Sequence, residues 1–203
     1  MGPAASRLWW GRAGGGVCYP RAVHLDLDRP IALIGIMGAG KSAVARILGE
    51  HLGTVVADLD AMIEAEEGSS VAELFERSGE ALFRRRESEL LSQALAAGAR
   101  VVACGGGVVL DPARRALLRE RTLVVWLEVS PAEAARRVGR DGASRPLLRG
   151  SDPASELASL LAKRAPLYAE VAAARVATDG RTPDQVAAEV LEAARRAAGP
   201  KPR

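Results

Sequence analysis

Residues 35–42 read Gly35-Ile36-Met37-Gly38-Ala39-Gly40-Lys41-Ser42, a full G-x-x-x-x-G-K-[ST] match. At average glycine usage, a chance match in a chain of this length has odds of roughly one per cent or less. The flanks suit the motif. The apolar run Ile31-Ala32-Leu33-Ile34 precedes it, and Val44, Ile47 and Leu48 follow at helical spacing. A strand–loop–helix unit of this kind cradles phosphate. Its glycines let backbone N–H groups approach the oxygens, and the helix start adds a favourable dipole. Lys41 then supplies a mobile charge for the β- and γ-phosphates, and Ser42 a hydroxyl ligand for Mg²⁺. The competing reading is a glycine turn with an incidental lysine. Against it, only three of the 28 basic residues are lysines: Lys41, Lys163 and Lys201.

Outward from the loop, short apolar runs recur at Thr54-Val55-Val56-Ala57, Val101-Val102-Ala103-Cys104 and Leu123-Val124-Val125-Trp126-Leu127, with a weaker one at Arg175-Val176-Ala177-Thr178. Continuous runs suit strands buried on both faces of a parallel sheet. Helix-start signals lie between them. They are Ser70 with Glu73, Asp111-Pro112, Ser130-Pro131 with Glu133, Asp152-Pro153, and Thr182-Pro183 with Gln185. Strands alternating with helices predict an α/β domain with a doubly wound parallel sheet. A single domain is expected over residues 30–197, with a flexible tail at 198–203. Residues 1–29, with Trp9, Trp10 and the Gly14-Gly15-Gly16 run, show neither strand nor helix period. They read as a disordered extension or the product of an upstream start codon; a weak targeting peptide is the other reading.

Composition narrows the function. A net charge of +3 and 3% aromatics speak against a dedicated nucleic-acid binder. No apolar run approaches the roughly 20 residues that cross a bilayer. The two cysteines, Cys18 and Cys104, have no metal or redox spacing, which fits a reducing cytosol, with Cys104 a buried side chain ending a strand. His24 and His51 have no partners that suggest zinc or a triad.

Ligands of open parallel sheets bind at the carboxyl ends of strands, and four segments fall there. Asp58-Leu59-Asp60 offers one carboxylate to orient a metal's hydration shell and another to take a proton or hydrogen bond from an acceptor hydroxyl. Helix capping by one or both is the alternative. In Gly79-Glu80-Ala81-Leu82-Phe83-Arg84-Arg85-Arg86-Glu87, which begins a long helix, the three arginines cannot share a face, so one is available to the cleft; a solvated charge run is the alternative. Gly105-Gly106-Gly107 permits close backbone approach to a ligand, or makes a tight turn. Residues 136–148, rich in glycine and arginine, read as a mobile lid supplying an arginine to the transferring group.

In this order, GIMGAGKS (35–42), DLD (58–60), GEALFRRRE (79–87), CGGGVVL (104–110), RPLL (145–148), KRAPLY (163–168) and RTP (181–183) resemble the shikimate kinases. The resemblance spans residues 30 to 197. It implies a P-loop nucleoside-kinase-like three-layer fold with a five-stranded parallel sheet and a mobile lid. The implied enzyme is a cytoplasmic monomer that needs no membrane or nucleic acid and phosphorylates the small molecule shikimate from ATP with Mg²⁺, on the route to chorismate. By motif, Lys41, Asp60 and Arg145 are catalytic. Gly38, Ala39, Gly40, Lys41, Ser42, Ala43, Arg137, Arg145, Arg181 and Pro183 hold ATP. Asp60, Arg84, Glu87, Gly105, Gly106, Gly107 and Arg164 hold shikimate, and Ser42 and Asp58 serve the metal. A gluconate-kinase-like enzyme and a catalytically silent ATP-binding paralogue remain the alternatives.

Overall fold

A computed structural model describes residues 29–140 and 152–198. Five parallel strands form one sheet in the order β2-β3-β1-β4-β5: β1 Ile31–Ile34, β2 Val56–Asp58, β3 Val101–Ala103, β4 Leu123–Glu128 and β5 Ala174–Ala177. β1 is central and wholly buried, as its continuous apolar run requires. The register aligns Leu33 with Ala103, and Ala103 with Asp58. The chain therefore leaves β1, β2 and β3 along one sheet edge.

Seven helices cover the sheet: α1 Lys41–Leu52, α2 Leu59–Glu67, α3 Val71–Ala96, α4 Pro112–Arg121, α5 Pro131–Arg140, α6 Pro153–Val171 and α7 Pro183–Ala198. α1 and α7 pack together and onto the strands; α4 and α6 form a second helical layer on β4. Val44 and Leu48 of α1, Val186 and Val190 of α7, Leu118 of α4 and Leu157 of α6 meet the sheet in one core. Burying each such side chain contributes about 1.5–3 kcal/mol. No helix among the described residues is long and apolar enough to cross a membrane.

The helix starts follow their sequence signals. Ser70 and Glu73 form a complete capping box, as do Thr182 and Gln185. Asp111 and Asp152 accept from Ala113 N and Ala154 N. At α5 only half the expected box forms. Ser130 Oγ accepts from Glu133 N, but Asp179 takes the Ser130 amide, because Glu133 is engaged by Arg136 and Arg137.

β3, β4 and β5 differ by one residue at their ends from the expected runs, and three larger differences bear on the site. β2 begins at Val56 rather than Thr54, since Thr54 N is used to close the end of α1 on Gly49 O. The helix expected to start at Gly79 is the second half of α3, which breaks at that glycine (φ 76°, ψ 171°). Arg136 and Arg137, read as part of an inter-helix lid, lie on α5, whose Ala134 and Val138 are buried four residues apart. The remainder of that stretch, residues 141–148 with Arg145, lies outside the described residues, as do residues 1–28 and 199–203.

Candidate active site

A cleft of about 420 Å³ opens where the chain leaves the sheet edge, within the usual size range for small-molecule sites. One end is the glycine loop. Gly40 has φ 85°, a left-handed conformation that side chains disfavour, and caps α1 through its backbone alone. Lys41 Nζ arches back to Gly35 O and Ile36 O at 3.0 Å each, so its charge sits over the loop. Ser42 lies exposed in the first turn of α1 and lines the cleft.

Arg137 closes the side of this end. Its Nη1 donates to Gly38 O and Thr178 Oγ1 (both 3.1 Å), its Nη2 to Thr178 O (2.7 Å) and its Nε to Glu133 Oε1 (2.8 Å). It thus staples α5 to the loop and to the segment after β5. Arg136, followed by Arg137, holds the Glu133 carboxyl down to a pKa of about 2, so this support stays ionised far into acid. Arg181 and Pro183 line the same end. Arg181 is held by Ala177 O and by an ion pair to Glu189.

The other end is built on the turn at residues 105–107. A Cβ on Gly105 would lie 2.3 Å from Glu87 Oε1 and 3.0 Å from Asp60 Oδ1; one on Gly107 would lie 2.2 Å from Arg84 Nη2. Side chains are missing here so that charged groups can stand against the strand end. Of the arginine run, Arg84 faces the cleft with its side chain 16% exposed. It rests 5.0 Å from the Phe83 ring centroid and 5.9 Å from that of Phe75, within cation–π range. Arg85 is exposed, and Arg86 pairs with Glu67 and Glu89. Arg164, buried on α6, donates to Gly106 O at 3.2 Å, and the Tyr168 hydroxyl donates to the same oxygen. Burial pushes the Tyr168 phenol up to about 12, so it remains a donor.

Gly106 is where the two ends meet. Its Cβ position lies 3.4 Å from Gly35 O, 3.6 Å from Met37 N and 3.7 Å from Arg164 Nη1. The Arg164 guanidinium therefore stands beside the phosphate loop. Every described residue singled out from the sequence lines this one cleft except Glu87, which is fully buried behind Arg84. Asp58 does both things weighed for it: its Oδ1 caps α2 at Ala61 N (3.3 Å) and it lines the cleft with Asp60. Sequence reading missed Phe75, Tyr168 and Thr178, which shape the cleft, and Arg114 behind it. Tyr168 lay inside a quoted motif; Arg114 carried no signal beyond its i,i+3 spacing from the cap Asp111.

Hard oxygen donors from Ser42 and Asp58 suit Mg²⁺. Among the described residues no group of three or more His, Cys, Asp or Glu could hold a metal alone.

The shikimate kinase family profile matches residues 37–195. A shikimate kinase of Symbiobacterium thermophilum is 44% identical over 163 residues, covering 80% of this chain and 94% of its own. The structure of Acinetobacter baumannii shikimate kinase in complex with shikimate aligns with a TM-score of 0.76 at 37% identity, over 81% of this chain and 91% of that one. A gluconokinase from Sinorhizobium meliloti aligns with a TM-score of 0.54 at 20% identity, over 85% and 94% of the two chains, and shares the fold.

Proposed function

The chain belongs to the shikimate kinase family, and from that premise we propose that its residues 30–197 transfer the γ-phosphoryl group of ATP to the 3-hydroxyl of shikimate, giving shikimate 3-phosphate and ADP. The observation that carries this reading is the position of Gly106, walled by the anion-holding Arg164 on one side and the phosphate loop on the other.

Arg84 and Arg164 take the shikimate carboxylate, for which a guanidinium offers paired donors. Asp60 accepts the hydroxyl proton as the oxygen bonds to the γ-phosphorus and the bond to the β-phosphate oxygen breaks. Lys41 exchanges its loop carbonyls for phosphate oxygens and balances their charge. Ser42 and Asp58 would hold Mg²⁺, which when bound would offset the charge of the phosphates. Arg137, Arg181 and Pro183 bound the space for the base.

We assign a cytosolic monomer. A buried free thiol at Cys104 agrees with a reducing compartment. Among the described residues, Val55 and Leu110 alone are large exposed apolar side chains, too little for an obligate interface.

The test is ADP release by the purified protein with ATP and Mg²⁺, comparing shikimate with gluconate. Release dependent on shikimate is expected. Preference for gluconate would replace the acceptor assignment, and no release with either would favour the silent ATP-binding alternative.

A further inference from the structure

Glu87 is the one fully buried carboxylate among the described residues. Two guanidiniums share its Oε2: Arg84 Nη1 at 2.9 Å and Arg114 Nη1 at 3.0 Å. Its Oε1 has no hydrogen-bond partner among the described residues and faces Gly105. Arg114 lies on α4, is 4% exposed and does not line the cleft. That same Nη1 also reaches Arg84 O (3.0 Å) and Ser88 Oγ (3.3 Å). Its three acceptors thus belong to one turn of α3, the turn that carries Arg84.

We propose that Arg114 is a positioning residue for the acid substrate: through Glu87 and the α3 backbone it fixes the Arg84 guanidinium in the pose that receives the acceptor's carboxylate. The proposal rests on the functional reading above. Charge bookkeeping supports it. An isolated Arg84–Glu87 pair is neutral and holds little attraction for an incoming anion. With Arg114, two cations share one buried anion, and the surplus charge is left on the arginine that faces the cleft. Glu80, the other partner of Arg84, and Asp111, 3.6 Å from Arg114 Nε, are 59% and 40% exposed, so water screens both.

The same contact keeps Glu87 ionised. The groups facing it are Arg84 and Ser88 on α3, Arg114 on α4, Asp60 on α2, Cys104 after β3 and Tyr168 on α6. Burial raises the Glu87 carboxyl above the usual range, Asp60 adds to the rise, and the two arginines oppose it. Removing Arg114 deletes one of the two opposing charges, and a protonated Glu87 no longer holds Arg84 as an ion pair.

The experiment measures kcat and KM for both substrates against pH in wild type, Arg114→Met, Arg114→Lys and Glu87→Gln, and follows the Glu87 carboxyl by ¹³C NMR in the full-length protein. In Arg114→Met, KM for shikimate is expected to rise on the order of tenfold while that for ATP stays within about twofold. The acidic limb of kcat/KM for shikimate and the Glu87 NMR midpoint should both move at least about one pH unit upward. Arg114→Lys should return both toward wild type, and on a Glu87→Gln background Arg114→Met should no longer move the limb. Equal losses for the two substrates with the limb in place, or an unmoved Glu87 midpoint, would overturn the proposal. If Arg114→Met fails to fold, Arg114→Gln is read by the same NMR criterion. Should wild type not phosphorylate shikimate, the functional reading falls, and the Glu87 midpoint alone decides whether Arg114 governs this carboxylate.

Discussion

Replacing Gly107 by alanine adds one carbon and should remove acid binding. Gly107 has φ −102° and ψ 6°, which alanine adopts without strain. The new Cβ would lie 2.2 Å from Arg84 Nη2 and 2.5 Å from its Cζ and Nη1. Ordinary contact therefore requires the guanidinium to retreat by about 1 Å or more. Its bonds to Glu87 (2.9 Å) and Glu80 (3.0 Å) leave no slack for that, and a charge-assisted bond works only near 3 Å. Losing such a contact to a buried carboxylate costs on the order of 2–5 kcal/mol, about 30-fold or more in KM for shikimate. Stability should change little, by about 1 kcal/mol or 2–4 °C in Tm, because a side-chain tip yields rather than backbone. The assay is ADP release with each substrate varied at saturating partner. Arg84→Ala sets the ceiling: it should raise KM for shikimate at least as far while leaving that for ATP in place. Adding Gly107→Ala to it should do nothing more, since the target of the clash is gone. An unchanged KM for shikimate in Gly107→Ala, or a parallel rise for ATP, would refute the reasoning.

Two further outcomes follow from the same geometry. Lys41→Ala should lower turnover at least about 100-fold with Tm nearly unchanged, because its Nζ donates to Gly35 O and Ile36 O of the cleft loop rather than bracing the core; near-normal turnover of the pure variant would remove Lys41 from the chemistry. The native state binds the Glu87 proton more tightly than the unfolded chain, where a glutamate titrates near ~4.3. The stability tied to that proton is present below the unfolded value and is lost as pH rises through the higher folded one. The Tm difference between Glu87→Gln and wild type should accordingly shift in favour of the variant between pH 4 and 8, and a flat difference would contradict the raised carboxyl.

The parts of this molecule that depend on near neighbours could be read from the sequence. The phosphate loop is a local conformation, and buried parallel strands announce themselves as unbroken apolar runs, so β1 matches its expected ends. Capping residues likewise act within three positions, and all five expected starts use the named cap, with only the return bond from Glu133 to Ser130 N missing. Distance in sequence hid the rest. Which of Arg84, Arg85 and Arg86 enters the cleft depends on the rotation of α3 relative to the turn at 105–107, a tertiary quantity. Arg114 looked like one more charge on an arginine-rich helix, since Glu87 lies 27 residues away. The start of α5 is legible at Ser130-Pro131, but its last residues, 136–140, read as lid because Gly139 and the arginines obscure Val138, whose burial with Ala134 holds the helix in place.

The cleft draws its two ends from different tracts of chain. Residues 37–44, Arg137 and residues 178–186 line the phosphate-loop end; residues 60–107 and Arg164 line the end proposed for the acceptor. A lineage could exchange one hydroxy acid for another by rewriting one cassette and a single arginine on α6, and inherit the energy-delivering half untouched.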